Sequence, residues 1–407
     1  MDDRRRDAAS WRSAIGELAA MERASASAGE RRAAEWIAAC LRHRGLQAAV
    51  EEERAHGGYW WPLGLANLLA AAGALAARRG GFAGRLLGAV AAGIGAAAVW
   101  DEASGGGLWF RRLVLPHRST WNVVAHAGDP GARRVVVVLA HHDAAHSGLV
   151  FHPALPRIAP RLAPQLHARA SHTVPILYAV WLGPALVCGA ALAGTRRLLT
   201  AGAALALAAT ATLADIGTSH VVPGANDNLS AVGALMALAD DLARRPPEAL
   251  RVMLVSTGSE ESFMEGMRGF ARRHFPELEP GLTEMLCLEC LGGPTLVVLE
   301  GEGMLRMRDY PVQMRQSLAA AAAAAGVAVK RGLRTVAATD ALIALRAGYK
   351  VATLASVDYT NFPVNYHWPT DTPEALHWQT IEDAIAVCRE FLRARAGRDT
   401  LSAGGNQ

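Results

Sequence analysis

Charge is scarce in this chain of 407 residues: 19% of residues are charged and 51% are apolar, an apolar-rich balance for a soluble enzyme. The net charge of +4 comes almost entirely from arginine, and the basic residues are spread along the chain rather than striped. With no nucleic-acid-binding motif beside them, a nucleic-acid partner is not expected. Cysteine is equally sparse. Cys40, Cys188, Cys287, Cys290 and Cys388 are odd in number and lack framework spacing, which argues against a disulfide scaffold. Cys287 and Cys290 form a lone CxxC in the strand-like run MLCLEC. A spacing of three on a strand points two side chains to opposite faces, so both read as buried thiols. The segment MDDRRRDAAS lacks an apolar core, and no cleavable signal peptide is expected there.

What the chain does have is long apolar runs with little or no charge. Residues 58–77 form one, a second ends at Trp100, and the design returns at 174–194 and 198–217. About twenty such residues span a bilayer core, so the expectation is four spans in two hairpins. Trp60, Trp61, Trp100 and Trp109 sit near the water ends, as interfacial aromatics do. Gly80, Gly84 and Gly88 recur every four residues, a spacing that lets helices approach closely in lipid. Arg85 interrupts the second run. The competing reading is a pair of Ala/Gly-rich hairpins buried in a soluble core. The nearly charge-free character of the runs leaves no ion path, which disfavours a transporter.

The remainder reads as α/β. Residues 10–47 are expected to be helical, with Trp36, Ile37, Cys40 and Leu41 on one face; Gly45 closes the helix and the strand QAAVEEE follows. Val135–Leu139 is a continuous apolar run typical of a central parallel strand, and LRVMLVSTGSEE at 250–261 repeats its form. Further strands are expected in MLCLEC, TLVVLEG and VATLAS, and helices over Leu229–Arg245, Pro311–Ala325 and Thr380–Arg395. Alternating strands and helices imply a mostly parallel mixed sheet with helices on both faces, whose site lies beyond the carboxyl ends of the strands.

Five polar stations punctuate these elements: HHD at 141–143, GANDN at 224–228, GSEE at 258–261, LEC at 288–290 and YHWPTD at 366–371. His141 can bind a metal through one nitrogen while Asp143 orients the ring; His142 and His146 are close rivals. Asp227 carries two oxygens that can bridge two cations, although Asn226, Asp227 or Asn228 could equally cap a helix. Glu260 and Glu261 repel one another unless cations or a shared proton compensate. One can ligate a metal while the other moves a proton. Glu289 ends an apolar strand, and His367 either ligates or packs on Trp368. Taken together, these residues make a pocket of imidazole and carboxylate ligands of the kind that holds two zinc ions.

In this ordered set the chain resembles metallopeptidase family 28, the zinc aminopeptidases related to glutamate carboxypeptidase and glutaminyl cyclase. The resemblance covers about residues 10–56, 119–147 and 219–395. It rests on His-x-Asp, Asp-Asn after Gly-Ala, Glu-Glu after Gly, and Tyr-His before Thr-Asp-Thr. It implies that His141, Asp227, Glu261, Glu289 and His367 are metal ligands, with Asp227 bridging two Zn2+ ions. It further implies that Asp143 orients His141 and that Glu260 is the general base. The family more often has Asp where Glu289 stands. Thr339-Asp340-Ala341 lacks the final His of the family's Ser-Asp-His, so Asp340 is assigned no catalytic role.

The expected organisation is a peptidase domain beginning at 1–57, interrupted by hairpins at 58–100 and 173–217, continuing over 101–172 and 218–397, with a disordered tail at 398–407. The expected activity is that of a membrane-anchored zinc exopeptidase, first an aminopeptidase, acting on a peptide or small amide. The alternative is a non-hydrolytic peptide-binding or scaffold protein of the same fold. The partners are then that substrate and the lipid bilayer of a cell membrane crossed several times. Nine arginines flank the catalytic side of the spans against five at the hairpin turns, which leans towards a cytoplasmic enzyme.

Overall fold

Two helices, rather than the single one expected over 10–47, open the computed structural model, which describes residues 3–396. The tail at 398–407 lies outside the described residues. Helix α1 (Asp3–Ala19) is separated from α2 (Ala28–His43) because Ser27 accepts hydrogen bonds from the Gly29 and Glu30 N–H groups and starts a new helix. Helix α2 stops just before Gly45, which takes the left-handed φ of 89° needed to turn into β1 (Gln47–Ala55).

The first apolar stretch folds as α3 (Trp60–Arg79) and α4 (Gly81–Ala103), followed by the short α5 (Trp109–Val114). Then come β2 (Arg118–Gly128), which the sequence reading missed, and the fully buried β3 (Val135–His141). Short helices α6 (Ile158–Leu162) and α7 (Pro164–Ala168) lead to the second helical pair, α8 (Tyr178–Ala193) and α9 (Arg196–Thr218). The rest alternates: α10 (Ser230–Arg244), β4 (Arg251–Thr257), α11 (Glu265–His274), β5 (Thr283–Glu289), β6 (Thr295–Val298), β7 (Gly301–Glu302) and β8 (Arg308–Asp309). It ends with α12 (Val312–Ala324), β9 (Arg334–Thr335), α13 (Ala341–Arg346), β10 (Lys350–Val357) and α14 (Trp378–Ala396).

Seven strands form one sheet in the order β1-β2-β4-β3-β5-β10-β6, and β8-β7-β9 form a small second sheet. Strands β1, β3, β4, β5 and β10 run one way, with β2 and β6 against them, so the mostly parallel mixed sheet is present. Burial of β3 along its whole length means both faces are covered. Helix α10 packs with α1 and α14, and α11 packs with α13.

Helices α3, α4, α8 and α9 pack into a bundle with its own small core of Ala70, Ala74, Ala92, Val187, Leu199 and Ala206. Three of them, α3, α4 and α9, are long and apolar enough to cross a membrane by length and composition. The fourth falls short of the expected span at 174–194. The chain is non-helical until Tyr178, leaving 16 helical residues, about 24 Å at 1.5 Å per residue. Close approach explains the glycine spacing: a Cβ on Gly84 would meet the Ala76 carbonyl oxygen at 2.5 Å, and one on Gly88 would meet the Ala77 Cβ at 2.9 Å. Arg85 does not reach outward. Its guanidinium donates to the carbonyls of Ala191 and Leu192, where the end of α8 favours a cation. Buried helices in a soluble core would hide their large side chains. Here Leu68, Leu75, Phe82, Leu87, Val90 and Leu207 are 47–82% exposed.

Candidate metal centre

The site forms where β3, β4 and β5 end, because parallel strands release their following loops on one edge of the sheet. His141 is the last residue of β3, and Glu289 is the last of β5. Glu260 and Glu261 follow β4 after Ser259, whose φ of 49° turns the chain sharply. Cys290, just after Glu289, and His367 itself also hold positive φ, at 48° and 50°. Left-handed backbone at non-glycine residues costs energy, and here it marks three of the loops that carry the site.

Asp227 lies at the centre. Its Oδ1 is 3.2 Å from His141 Nε2, and its Oδ2 is 3.3 Å from His367 Nε2. Glu289 Oε1 stands 3.4 Å from His141 Nε2, and Glu261 Oε2 stands 3.0 Å from His367 Nε2. The two oxygens of one carboxylate therefore face two separate donor sets, His141 with Glu289 and His367 with Glu261. His141, Asp227 and Glu261 also bring one ligand atom each within 4.8 Å of one another, as do Asp227, Glu289 and Cys290. These groupings overlap because Asp227 serves both. The division by oxygen is the more informative, since it assigns each imidazole a partner. Glu260 Oε2 is 3.8 Å from His141 Nε2, beside the first set.

Each member is held from behind. The Asp143 carboxylate lies 3.4 Å from His141 Nδ1 and accepts from the Glu260 N–H (3.0 Å), the Glu261 N–H (3.2 Å) and the Ser25 hydroxyl (2.7 Å). It thus ties the imidazole loop to the glutamate loop. Asp371 accepts from the Asn226 N–H at 2.7 Å and the Asp227 N–H at 3.1 Å. Asn228 accepts from the Cys290 N–H and donates to the Leu288 carbonyl. The asparagines beside Asp227 therefore fasten its loop to the end of β5 rather than cap α10.

Two rivals for the imidazole positions turn away. His142 hydrogen-bonds the Ser256 hydroxyl through Nδ1, and burial pushes its pKa down to about 3, so it is neutral. His146 Nδ1 meets the Ser219 carbonyl, and its ring lies against Trp60. His367 stacks on Tyr366, with ring centroids 3.8 Å apart, rather than on Trp368. Cys290 is more than the ordinary buried thiol expected: its Sγ donates to Glu289 Oε1 at 3.4 Å. Asp340 donates nothing to the centre and instead accepts from the Thr257 hydroxyl.

Acidic groups dominate this buried volume, and the protonation states follow. Burial depresses a histidine pKa, yet at His367 the close carboxylates of Glu261 and Asp227 raise it to about 10. Burial raises Glu260 well above the ordinary carboxylate range; His141 opposes this, while Glu289 and Glu261 add to it. Burial likewise lifts Glu289 to about 7 against the pull of His141. Glu261 Oε1 and both ring nitrogens of His367 are buried without a well-formed hydrogen bond. Unpaired nitrogen and oxygen donors converging on a buried, negatively charged point are what a divalent cation satisfies, and two imidazoles with carboxylates suit zinc. The residues present fit the metal.

Three residues that the sequence reading passed over, Arg23, Glu30 and Ser25, and one that it quoted without a role, Asp371, hold this arrangement. Fully buried Arg23 donates to the His142 and Pro223 carbonyls, linking the loop after β3 to the loop before Asp227. Glu30 accepts from Ser259, Ala26, Thr120 and Trp121. Ser25 and Asp371 complete the support. Only Asp371 carried a local signal, in the Thr-Asp-Thr that follows His367.

The profile of the family described as Peptidase family M28 matches residues 212–392, the stretch from the end of α9 through α14. No curated protein sequence matches the chain significantly. Solved structures share the fold over nearly its full length. A glutaminyl cyclase from Tannerella forsythia is 14% identical, covering 96% of this chain and 98% of its own at a TM-score of 0.55. A Zn-dependent exopeptidase from Parabacteroides distasonis is 13% identical, covering 94% and 96%, at 0.54. An aminopeptidase from Aneurinibacillus is 12% identical, covering 95% and 93%, at 0.54. The chain therefore has the mixed α/β fold that these enzymes share.

Proposed function

We propose that this protein is a zinc-dependent exopeptidase, an aminopeptidase in the first instance, carried in a membrane by its helical hairpins. The observation that carries the reading is Asp227 placed between two donor sets, with Glu260 alongside. Two zinc ions fit this arrangement: His141, Asp227 and Glu289 would hold one, and His367, Asp227 and Glu261 the other. When bound, zinc polarises a carbonyl and makes water more acidic. Glu260, ionised beside that charge, takes the proton from the attacking water and returns it to the departing nitrogen. Asp143 keeps His141 in one tautomer and fixes the backbone beneath Glu260 and Glu261. The shared fold with a Zn-dependent exopeptidase and an aminopeptidase supports hydrolysis. Glu289 has the reach to meet His141 from the end of β5, so the longer side chain is compatible with the first set.

Membrane placement is supported by the three long apolar helices and by the large apolar side chains on their outward faces. With α8 packed between α4 and α9, we read the bundle as two hairpins, the catalytic domain lying on the side that holds most of the arginines.

The test is Glu260→Gln in the full chain, purified in micelles. Zinc content should stay close to two equivalents while release of the first residue from a peptide falls by roughly two to four orders of magnitude. Normal turnover in that variant removes Glu260 from the mechanism. Because glutaminyl cyclases share the fold, a peptide beginning with glutamine separates the activities. Hydrolysis releases the free amino acid, whereas cyclisation releases ammonia and leaves the peptide intact. Wild-type protein that retains no zinc and cleaves nothing would instead match the scaffold reading.

A further inference from the structure

The metal centre opens into two adjoining chambers. The smaller, about 60 Å3, contains Asp227, Glu260, Glu261, Glu289 and Cys290. The larger, about 160 Å3, shares Glu260, Glu261 and Tyr366 with it and then runs away from the sheet. Part of its wall is not made by the α/β domain. It is built from Val180 of α8, Thr212, Leu213 and Ile216 of α9, and Ile176 and Leu177 just before α8. These are the domain-proximal ends of the same helical bundle whose outward faces carry exposed leucines. Phe263, Met264 and Met304 of the α/β domain complete the apolar lining. No lysine or arginine lines this chamber among the described residues, and its cationic group, His367, sits among the ligands of the metal centre, so nothing along the apolar wall would neutralise a carboxylate or phosphate. Val174 lines the chamber and is 46% exposed, which puts an opening beside the start of α8. Tyr178 and Leu182, at 43% and 42%, continue that exposed apolar face along the helix.

We propose that the larger chamber receives a long aliphatic chain from an amphiphilic amide substrate, admitted beside α8 from the lipid phase, while the amide lies in the smaller chamber. This rests on the reading of the metal centre as a zinc hydrolase site. The division of labour follows from the lining: the carboxylates of Asp227, Glu260, Glu261 and Glu289 face the smaller chamber, and branched, aromatic and thioether side chains make most of the larger one. A fully polar peptide gains nothing from that wall. A chain of several methylenes does, because each methylene moved from water into an apolar enclosure strengthens binding about fourfold.

Alkyl hydroxamates, which chelate zinc and differ only in chain length, test the idea without relying on turnover. Binding of acetohydroxamate and octanohydroxamate to the zinc-loaded full chain is measured by calorimetry in micelles. The octanoyl compound should bind at least about a hundredfold more tightly, a gain that allows for incomplete burial of its six extra methylenes. Ile216→Trp and Val180→Phe fill the chamber from two different helices. Each should reduce the octanoyl-to-acetyl ratio by tenfold or more, with zinc content measured on the same samples. Chain partitioning into the micelle changes the apparent affinity by the same factor for wild type and variants, so an unchanged ratio in both zinc-loaded variants overturns the proposal. Equal binding of the two hydroxamates to wild-type protein overturns it as well, while leaving the metal centre intact. Failure of the wild-type protein to retain zinc or bind acetohydroxamate removes the zinc-site reading and this inference together.

Discussion

Replacing Asp371 by asparagine should loosen zinc without touching a ligand. Its carboxylate accepts from two buried N–H groups, those of Asn226 and Asp227, at 2.7 and 3.1 Å. Those bonds set the direction in which Asp227 presents its two oxygens. A carboxamide has one acceptor atom, so in Asp371→Asn one of the two N–H groups loses its partner and faces an amide NH2. A buried donor left unpaired costs about 1–3 kcal/mol, and the loop relieves that cost by moving. Because Asp227 serves both donor sets, any movement is felt at both. Loss of such a supporting partner typically weakens metal affinity by about 10–100-fold, which matches the same energy range. The Ala225 N–H bonds the Asp371 main-chain carbonyl and survives the substitution, so the chain still closes there. The assay is a zinc competition against a chelator of known affinity, with helix content by circular dichroism as the folding control. A folded Asp371→Asn protein that holds zinc as tightly as wild type would refute the claim that this carboxylate positions Asp227.

Three further outcomes follow from the packing. Glu265 accepts from the His56 and Gly57 N–H groups and the Ser262 hydroxyl and pairs with Arg111. Burial raises its pKa, but Arg111 and these hydrogen bonds outweigh that and bring it down from 4.5 to about 2. A carboxylate whose folded pKa is depressed contributes stability above its unfolded pKa and loses it as pH falls through the folded one. The contribution is roughly 3 kcal/mol. Wild-type thermal stability in micelles should therefore fall between about pH 4.5 and pH 2, and Glu265→Gln should start lower and lose that part of the slope. Gly88→Leu should separate α3 from α4, because even a Cβ at that position meets Ala77 at 2.9 Å. The cost is about 1–3 kcal/mol, read as a lower Tm; an unchanged Tm would show that the helices are not in contact there. His146→Ala should keep full zinc content while His141→Ala loses most of it, by elemental analysis of folded protein. The reverse pattern would exchange their assignments.

Much of the fold was legible because its signals are local. The run Val135–Leu139 announces a strand buried on both faces, and Arg251–Thr257 repeats it. Strand β2 escaped notice because RSTWNVVAHAG mixes polar and apolar residues without strict alternation; its partners β1 and β4 lie far away in sequence and decide its conformation. The break between α1 and α2 was missed for a related reason. Ser27 is an ordinary residue until its hydroxyl caps a helix, and buried Arg23 ties the turn, through the local Leu18 and Met21 carbonyls, to the His142 and Pro223 carbonyls more than a hundred residues away.

By itself, the sequence determined the types and order of the chemical groups: an imidazole, a carboxylate, paired glutamates, another carboxylate and a second imidazole, each beside an element that could present it. It also set the apolar runs, because their composition is a property of the chain alone. Only the tertiary structure decided which oxygen of Asp227 faces which histidine, that His142 and His146 point elsewhere, and that α8 and α9 wall a chamber beside Glu260. Direction and distance depend on strand register, loop dihedral angles and contacts between residues remote in sequence, and no local pattern encodes those.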